Sequence, residues 1–259
     1  MMPTAHLVYF SPTGTTRKVS ESIAQGLGAK KVIHYDLTPA DTRFKTVLTD
    51  GVAVIGIPVY AGRVPELCLQ RLQGITARHI PAVLVALYGN REFEDALVEL
   101  RDLSVAKGFN IVAAGAFIGE HSFSTPTQPL AAGRPDAEDL TMAEQFGKRV
   151  AVKIQGGDYN TPSIDGNVPY RECSKLGGLT PETDSERCIL CGKCAEVCPP
   201  GVITVSESVA TNADGCIMCC ACARACEAQA RFFIHPRIEE KRAMLQKNSS
   251  IPKTPEIFL

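Results

Sequence analysis

Through the first 155 residues, apolar positions follow two alternating rhythms. Short, nearly unbroken apolar runs occur at 6–10, 52–60, 82–88 and 111–118, and 31–37 reads as a further strand. Between them lie segments with helical spacing. Residues 15–27 place Val19, Ile23 and Leu27 on one face. Residues 65–72 open on a proline, which presets the first turn of a helix. An amphipathic stretch follows at 92–106 and a long one at 136–155. The run at 52–60 is apolar throughout, as a parallel strand buried on both faces must be. This alternation predicts an α/β domain over 1–155: a doubly wound, five-stranded parallel sheet. In such sheets ligands bind beyond the carboxyl ends of the strands, where the strand order reverses.

After residue 155 the rhythm stops. Residues 156–183 are rich in Gly, Pro, Asn and Asp and have no period, which predicts a linker wrapping between modules. A second module is expected over 184–236, with short strands at 202–205 and 231–234. Residues 237–259 close the chain: a helix over 237–247, then an end apolar enough to pack back on the body rather than fray.

The second module is defined by cysteines. Of eleven in the chain, ten lie after position 170, and eight form two copies of one pattern. The first is Cys188-x2-Cys191-x2-Cys194-x3-Cys198-Pro199, the second Cys216-x2-Cys219-x2-Cys222-x3-Cys226. This is the bacterial ferredoxin spacing for two [4Fe–4S] clusters, in which each run gives its fourth cysteine to the other cluster. That places Cys188, Cys191, Cys194 and Cys226 on one cluster, and Cys216, Cys219, Cys222 and Cys198 on the other. Zinc sites take pairs of ligands, four to a metal, and do not divide this way. Disulfides need an oxidising compartment, and the start MMPTAHLVYF has neither the charged nor the apolar segment of a leader, so a cytoplasmic protein is expected. Glu227 stands where a proline usually follows the second run, making that surrounding more polar. Cys68 reads as a buried helix residue, Cys173 as a linker thiol, and Cys220 as a bystander beside Cys219.

The formal charge of −1 argues against nucleic acid or an anionic membrane as the main partner, and no apolar stretch approaches a membrane span. Residues 184–236 carry four basic and six acidic side chains, a mildly acidic −2 compatible with a basic redox protein partner.

The first strand runs into Ser11-Pro12-Thr13-Gly14-Thr15-Thr16 and then a helix. Hydroxyls and backbone N–H groups at a helix start can cradle a phosphate without a cation. A Walker G-x4-G-K-[ST] and a dinucleotide G-x-G-x-x-G are both absent here, which disfavours ATP and classical NAD or FAD sites. The bland alternative is hydroxyls that only cap the helix. This loop resembles the flavodoxin loop that holds the FMN phosphate. The resemblance extends over residues 4–155 and implies a 2-1-3-4-5 sheet. It further implies that two loops flank the flavin ring: Tyr60, Ala61 and Gly62 after the third strand, and Tyr88, Gly89 and Asn90 after the fourth. Without tryptophan, Tyr60 or Tyr88 is the stacking candidate. His121, after the fifth strand, faces the same crevice and is a candidate proton donor to reduced flavin.

The whole chain resembles the flavodoxin–ferredoxin fusion proteins of anaerobic bacteria. This implies FMN and two [4Fe–4S] clusters as cofactors and an electron-transfer role between redox proteins. The alternative is an FMN-dependent oxidoreductase whose clusters feed a small-molecule acceptor; a redox sensor ranks third. Transfer within one chain requires the cysteine module to sit over the carboxyl edge of the sheet. A head-to-tail homodimer is the other route.

Overall fold

The structure is a computed structural model describing residues 4–173 and 177–259. Residues 1–3, at the start of the first expected domain, and 174–176, in the expected linker, lie outside the described residues. In chain order the first part runs β1 (Thr4–Tyr9), α1 (Thr15–Gly26), β2 (Lys31–Asp36), β3 (Thr46–Leu48), β4 (Val52–Pro58), α2 (Glu66–Leu72), β5 (Ile75–Ala77), β6 (Pro81–Tyr88), α3 (Ala96–Ala106), β7 (Asn110–Ile118) and α4 (Ala137–Gln155). The rest contributes β8 (Glu182–Thr183), α5 (Lys193–Glu196), β9 (Ile203–Val205), β10 (Val209–Thr211), α6 (Ala221–Arg224), β11 (Arg231–Phe232), α7 (Pro236–Asn248) and β12 (Glu256–Phe258).

The five expected strands pair in parallel in the order β2-β1-β4-β6-β7. Numbered among themselves they run 2-1-3-4-5, the flavodoxin-like arrangement. The uninterrupted apolarity of β1, β4, β6 and β7 has the expected cause, since both faces are covered, whereas the edge strand β2 (KVIHYD) is largely exposed. Val19 and Ile23 of α1 and Phe146 and Val150 of α4 pack on one face. Cys68 and Leu72 of α2 and Leu97 and Leu100 of α3 pack on the other. The helix expected from residue 92 starts only at Ala96, because Asn90 and Glu94 both take positive φ, 64° and 46°, and hold the chain in turns until then.

The tail packs back more completely than its composition indicates. β12 adds antiparallel to β7, with Ile257 opposite Gly115, and so covers what would be an open sheet edge. Asn90 anchors it: its amide donates to the carbonyls of Ser249 (2.7 Å) and Ile251 (2.9 Å), and its oxygen accepts from the Lys253 N–H (2.8 Å). The linker is also tied down. Asp95 accepts from the N–H groups of Asn167 (2.8 Å) and Arg171 (2.7 Å), and the Tyr170 hydroxyl donates to Asp102 (2.6 Å).

In the cysteine module β9 pairs with β10 and β11 with β8. The two short strands foreseen in the sequence therefore have separate partners, both too short to register as apolar runs.

Candidate functional site

Arginines dock the cysteine module onto the sheet domain. Arg71, buried on α2, donates to the carbonyls of Leu37 (2.6 Å) and Thr38 (2.8 Å) and to Pro199 (2.6 Å), the residue after Cys198. Arg224 of α6 donates to the carbonyl of His121 (3.0 Å) and pairs with Glu120 (3.1 Å). Arg242 of α7 donates to the carbonyls of Phe123 and Phe233, both at 2.8 Å, and pairs with Glu239. Phe123 and Phe233 meet edge to face at 5.7 Å between ring centres. Buried guanidinium groups satisfy carbonyls that would otherwise lose water without replacement.

All eleven cysteines are free thiols. Cys198, from the first run, lines one narrow apolar cavity together with Cys216, Cys219 and Cys222 from the second. These are the four the spacing assigns to one cluster. Arg231 lines the same cavity, and its buried Nε–H has no partner among the described residues. Cys220 lines it too, so five thiols surround the cavity; the four at the spacing positions, with Arg231 beside them, are a donor set that fits an iron–sulfur cluster, which presents sulfide acceptors. Among the described residues no three or more His, Cys, Asp or Glu side chains gather as a single-ion site would need. Burial pushes the Cys216 and Cys219 thiols up. Of the other set, Cys194 is buried, Cys188 and Cys226 are half-buried and Cys191 is exposed. Cys220 packs against Phe233 and Ile238, Cys68 lies in the sheet core, and Cys173 is exposed.

At the carboxyl ends of the parallel strands lies a cleft of about 930 Å³. Its floor is the loop between β1 and α1. Pro12, Thr13, Thr15 and Thr16 line it. The Thr13 and Thr15 hydroxyls are 3.3 Å apart. α1 starts without a side-chain cap, at Gly14 with φ of 81°. Arg17, the nearest cation, is paired with Glu21, so the loop offers hydroxyls and an open helix end rather than a positive side chain. Ser11 holds the loop instead: its hydroxyl accepts from Arg17 N–H (3.0 Å) and its own N–H donates to Thr38 (2.8 Å).

The next wall comes from 60–63. Tyr60 and Arg63 exchange backbone hydrogen bonds of 3.0 and 3.1 Å across Ala61 and Gly62, whose φ values of 51° and 79° close a tight hairpin turn. Gly62 has a second reason to be glycine, since a Cβ there would lie 1.7 Å from the Glu94 carboxylate. The Tyr60 hydroxyl bonds to Ser122, and burial holds its pKa well above the usual phenol, with Cys219 and Cys220 adding to the rise. This tyrosine therefore stands between the cleft and the second cysteine run.

Tyr88, Gly89 and His121 form the opposite wall. A Cβ on Gly89 would lie 2.3 Å from the His121 ring, so glycine lets the imidazole lie on the strand end. His121 Nδ1 accepts from the Phe123 N–H (3.0 Å), which leaves the proton on Nε2. Burial, with Arg91, Arg224 and Arg242 nearby, lowers its pKa to about 4, and the ring is neutral at pH 7. Tyr88 is only 3% exposed, packs on Phe93 and carries a buried hydroxyl without a partner. Asn90 does not line the cleft; its side chain is spent on the tail.

Transfer within one chain required the three loops to face one of the two cysteine runs, without saying which; the cleft lining includes the start of the second. Residues 213–218, which include Cys216 and Ile217, close the cleft from the cysteine module, with Arg237, Lys241 and Met244 of α7 beside them. Nothing local in those residues signals a cleft; only docking brings them there.

Residues 181–204 match the 4Fe-4S binding domain family, covering the first cysteine run. No curated protein matches the chain. Among solved structures, the chain is similar to a flavodoxin from the domain Archaea (14% identity, 59% of this chain and 99% of that one, TM-score 0.38). It is also similar to the flavodoxin of Streptococcus pneumonia TIGR4 (20% identity, 58% and 99%, TM-score 0.41). A third is the Fusobacterium nucleatum flavodoxin bound to flavin mononucleotide (17% identity, 61% and 99%, TM-score 0.39). The fold itself rests on the strand order above. Among the described residues no helix is long and apolar enough to cross a membrane.

Proposed function

We propose that this chain is an electron-transfer flavo-iron–sulfur protein, a fused flavodoxin–ferredoxin of the kind found in anaerobic bacteria, with FMN in the cleft and two [4Fe–4S] clusters in the cysteine module. One observation carries the reading: the cleft at the carboxyl ends of the strands is walled on its far side by residues 213–218 of the second cysteine run. Clusters carry single electrons and FMN takes one or two, so together they supply one- to two-electron conversion. Thr13, Thr15, Thr16 and the open end of α1 hold the phosphate. Tyr60, Ala61, Gly62, Tyr88 and Gly89 flank the ring, and the Nε2–H of His121 is a hydrogen-bond donor beside it. With its pKa lowered to about 4, the imidazole is neutral at pH 7 and is not the proton donor expected from its position after the fifth strand. Protein partners meet the first run, where Cys191 is exposed.

A fused chain makes the internal step first-order. With clusters reduced anaerobically, flavin reduction should proceed at the same rate over a tenfold dilution. A rate rising linearly with concentration would mean transfer between chains, as in a head-to-tail homodimer. Release of FAD instead of FMN on denaturation would show the phosphate loop to be misread.

A second reading has its own support. A cleft of about 930 Å³ is at the upper end of ligand sites, roughly 300–1,000 Å³, and leaves room for a small-molecule acceptor beside the flavin. In that reading the protein is an FMN-dependent oxidoreductase. Turnover of an acceptor with reduced ferredoxin as donor would favour it.

A further inference from the structure

Among the described residues, the buried Arg231 of the cysteine module spends its donors on neither carbonyl nor carboxylate. It is 5% exposed. β11 pairs with β8 so that Arg231 lies opposite Thr183. Nη1 donates to the Thr183 hydroxyl (2.7 Å) and Nη2 to the Thr211 hydroxyl (3.1 Å). Nη2 also donates to Cys222 Sγ at 3.6 Å. The buried Nε–H has no partner among the described residues, and Arg231 lines the cavity of Cys198, Cys216, Cys219, Cys220 and Cys222. Among the described residues no carboxylate pairs with it. Arg242, by contrast, has Glu239 and two carbonyls.

A buried cation is costly unless a negative charge opposes it. Two threonine hydroxyls carry no charge. The opposing charge must come from the thiolates that this guanidinium touches once they bind metal. We propose that Arg231 tunes the reduction potential of the inner cluster, the one ligated by Cys222, by placing a fixed positive charge and N–H donors against its sulfurs. This rests on the reading that the two cysteine runs hold clusters. Reduction adds one electron to the cluster from an external donor, and no bond to Arg231 forms or breaks. The added negative charge is stabilised by the adjacent cation, and donors to cluster sulfur raise the potential. The inner cluster is thereby the favoured resting place for an electron, on the side that faces the cleft.

The test is a potentiometric titration followed by electron paramagnetic resonance, with iron and acid-labile sulfide measured on each protein. Arg231→Gln keeps donors and removes the charge. It should hold its iron and shift the one-electron equilibrium of one cluster at least tenfold towards the oxidised form, about 59 mV more negative. Arg231→Lys, which keeps the charge, should recover most of the shift. Thr211→Asp leaves Arg231 in place and neutralises it with a partner, so it should lower the same potential. Arg231→Gln with full iron and unmoved potentials would overturn the assignment and leave Arg231 a structural pin between β8 and β11. If Arg231→Gln loses iron, Thr211→Asp decides, and loss of iron from both also counts against the proposal. A wild-type chain without labile sulfide would overturn the cluster reading itself, an outcome separate from clusters present with unmoved potentials.

Discussion

The two cysteine runs repeat one spacing in opposite surroundings. In the first, Ile189 is 74% and Leu190 42% exposed between Cys188 and Cys191. In the second, Cys219 and Cys222 are each 7% exposed, and Ile217 between Cys216 and Cys219 packs on the core of the sheet domain. Spacing determines what the runs can bind, because a cubane needs three close ligands and one remote one. Docking determines what each can reach. The outer run has an apolar tip open to other proteins, while the inner run is a wall of the cleft. On the proposed function, the difference gives direction to a module that is otherwise pseudo-symmetric: we propose exchange with partners on the outside and with the cleft on the inside.

The largest effect should come from breaking the runs one at a time. Cys191→Ala and Cys219→Ala should each lower iron from about eight to about four per chain. Their functional consequences should differ. Loss of the inner ligand should abolish flavin reduction through the module, whereas loss of the outer ligand should block electron uptake from a protein donor. Equal effects on both assays would erase the comparison. Stoichiometric zinc without labile sulfide would remove its basis.

Next in size is the cleft that the inner run faces. Replacing Thr13 and Thr15 together with Val removes two hydroxyls from the uncapped start of α1. Each hydrogen bond to a charged group is worth about 1.5–3 kcal/mol, so FMN affinity should fall by two orders of magnitude or more while iron content is unchanged. Fluorescence titration of the flavin-free protein measures this directly. Retained affinity would move the phosphate elsewhere.

The seam between the two regions is a smaller lever. Arg242→Ala leaves the carbonyls of Phe123 and Phe233 without their donor. The cost should be roughly 2–4 kcal/mol in a denaturant midpoint. The docked module should loosen, and internal electron transfer should slow even in protein that keeps its iron and flavin. Unchanged transfer in that variant would mean that the seam does not set the distance.

Legibility in the sequence follows the same divide. The inner parallel strands were readable because they are buried on both faces and therefore apolar without alternation, as 52–57 shows; β2, at the sheet edge, is largely exposed and carries Lys, His and Asp. The two cysteine runs were legible as a pattern because cluster chemistry sets such a spacing, and the 4Fe-4S family match covers the first of them. β3, β5, β8 and β10 were missed, at two or three residues each too short to carry a period. The apolar end was expected to pack back, yet its strand pairing depends on Asn90, far away in sequence. Asn90 itself reads as a flavin-loop residue by position, and the structure spends its side chain on the tail. Residues 213–218 and the tuning arginine carry no local signal, since their roles exist only once the modules are docked. What the sequence conveys is local chemistry and burial, and what it leaves out is which faces meet.

The smallest effect concerns His121, which lies where the two regions meet and whose carbonyl accepts from Arg224. Its pKa is about 4 in the folded chain against 6.5 for the free side chain, chiefly through burial, with Arg91, Arg224 and Arg242 adding repulsion. The folded state therefore refuses a proton that the unfolded state accepts. Above about pH 6.5 neither state is protonated at this site and it contributes no pH dependence. As pH falls from 6.5 towards 4 the unfolded state gains the proton first, and stability is lost at up to about 1.4 kcal/mol per pH unit. Between pH 7 and 5.5 the wild-type chain should lose about 1 kcal/mol more than His121→Gln, measured as the difference in denaturant midpoints. The other titrating groups are common to both chains and cancel. Equal losses would mean that His121 is open to water and charged at pH 5.5, which would also remove it as a neutral Nε2–H donor beside the cleft.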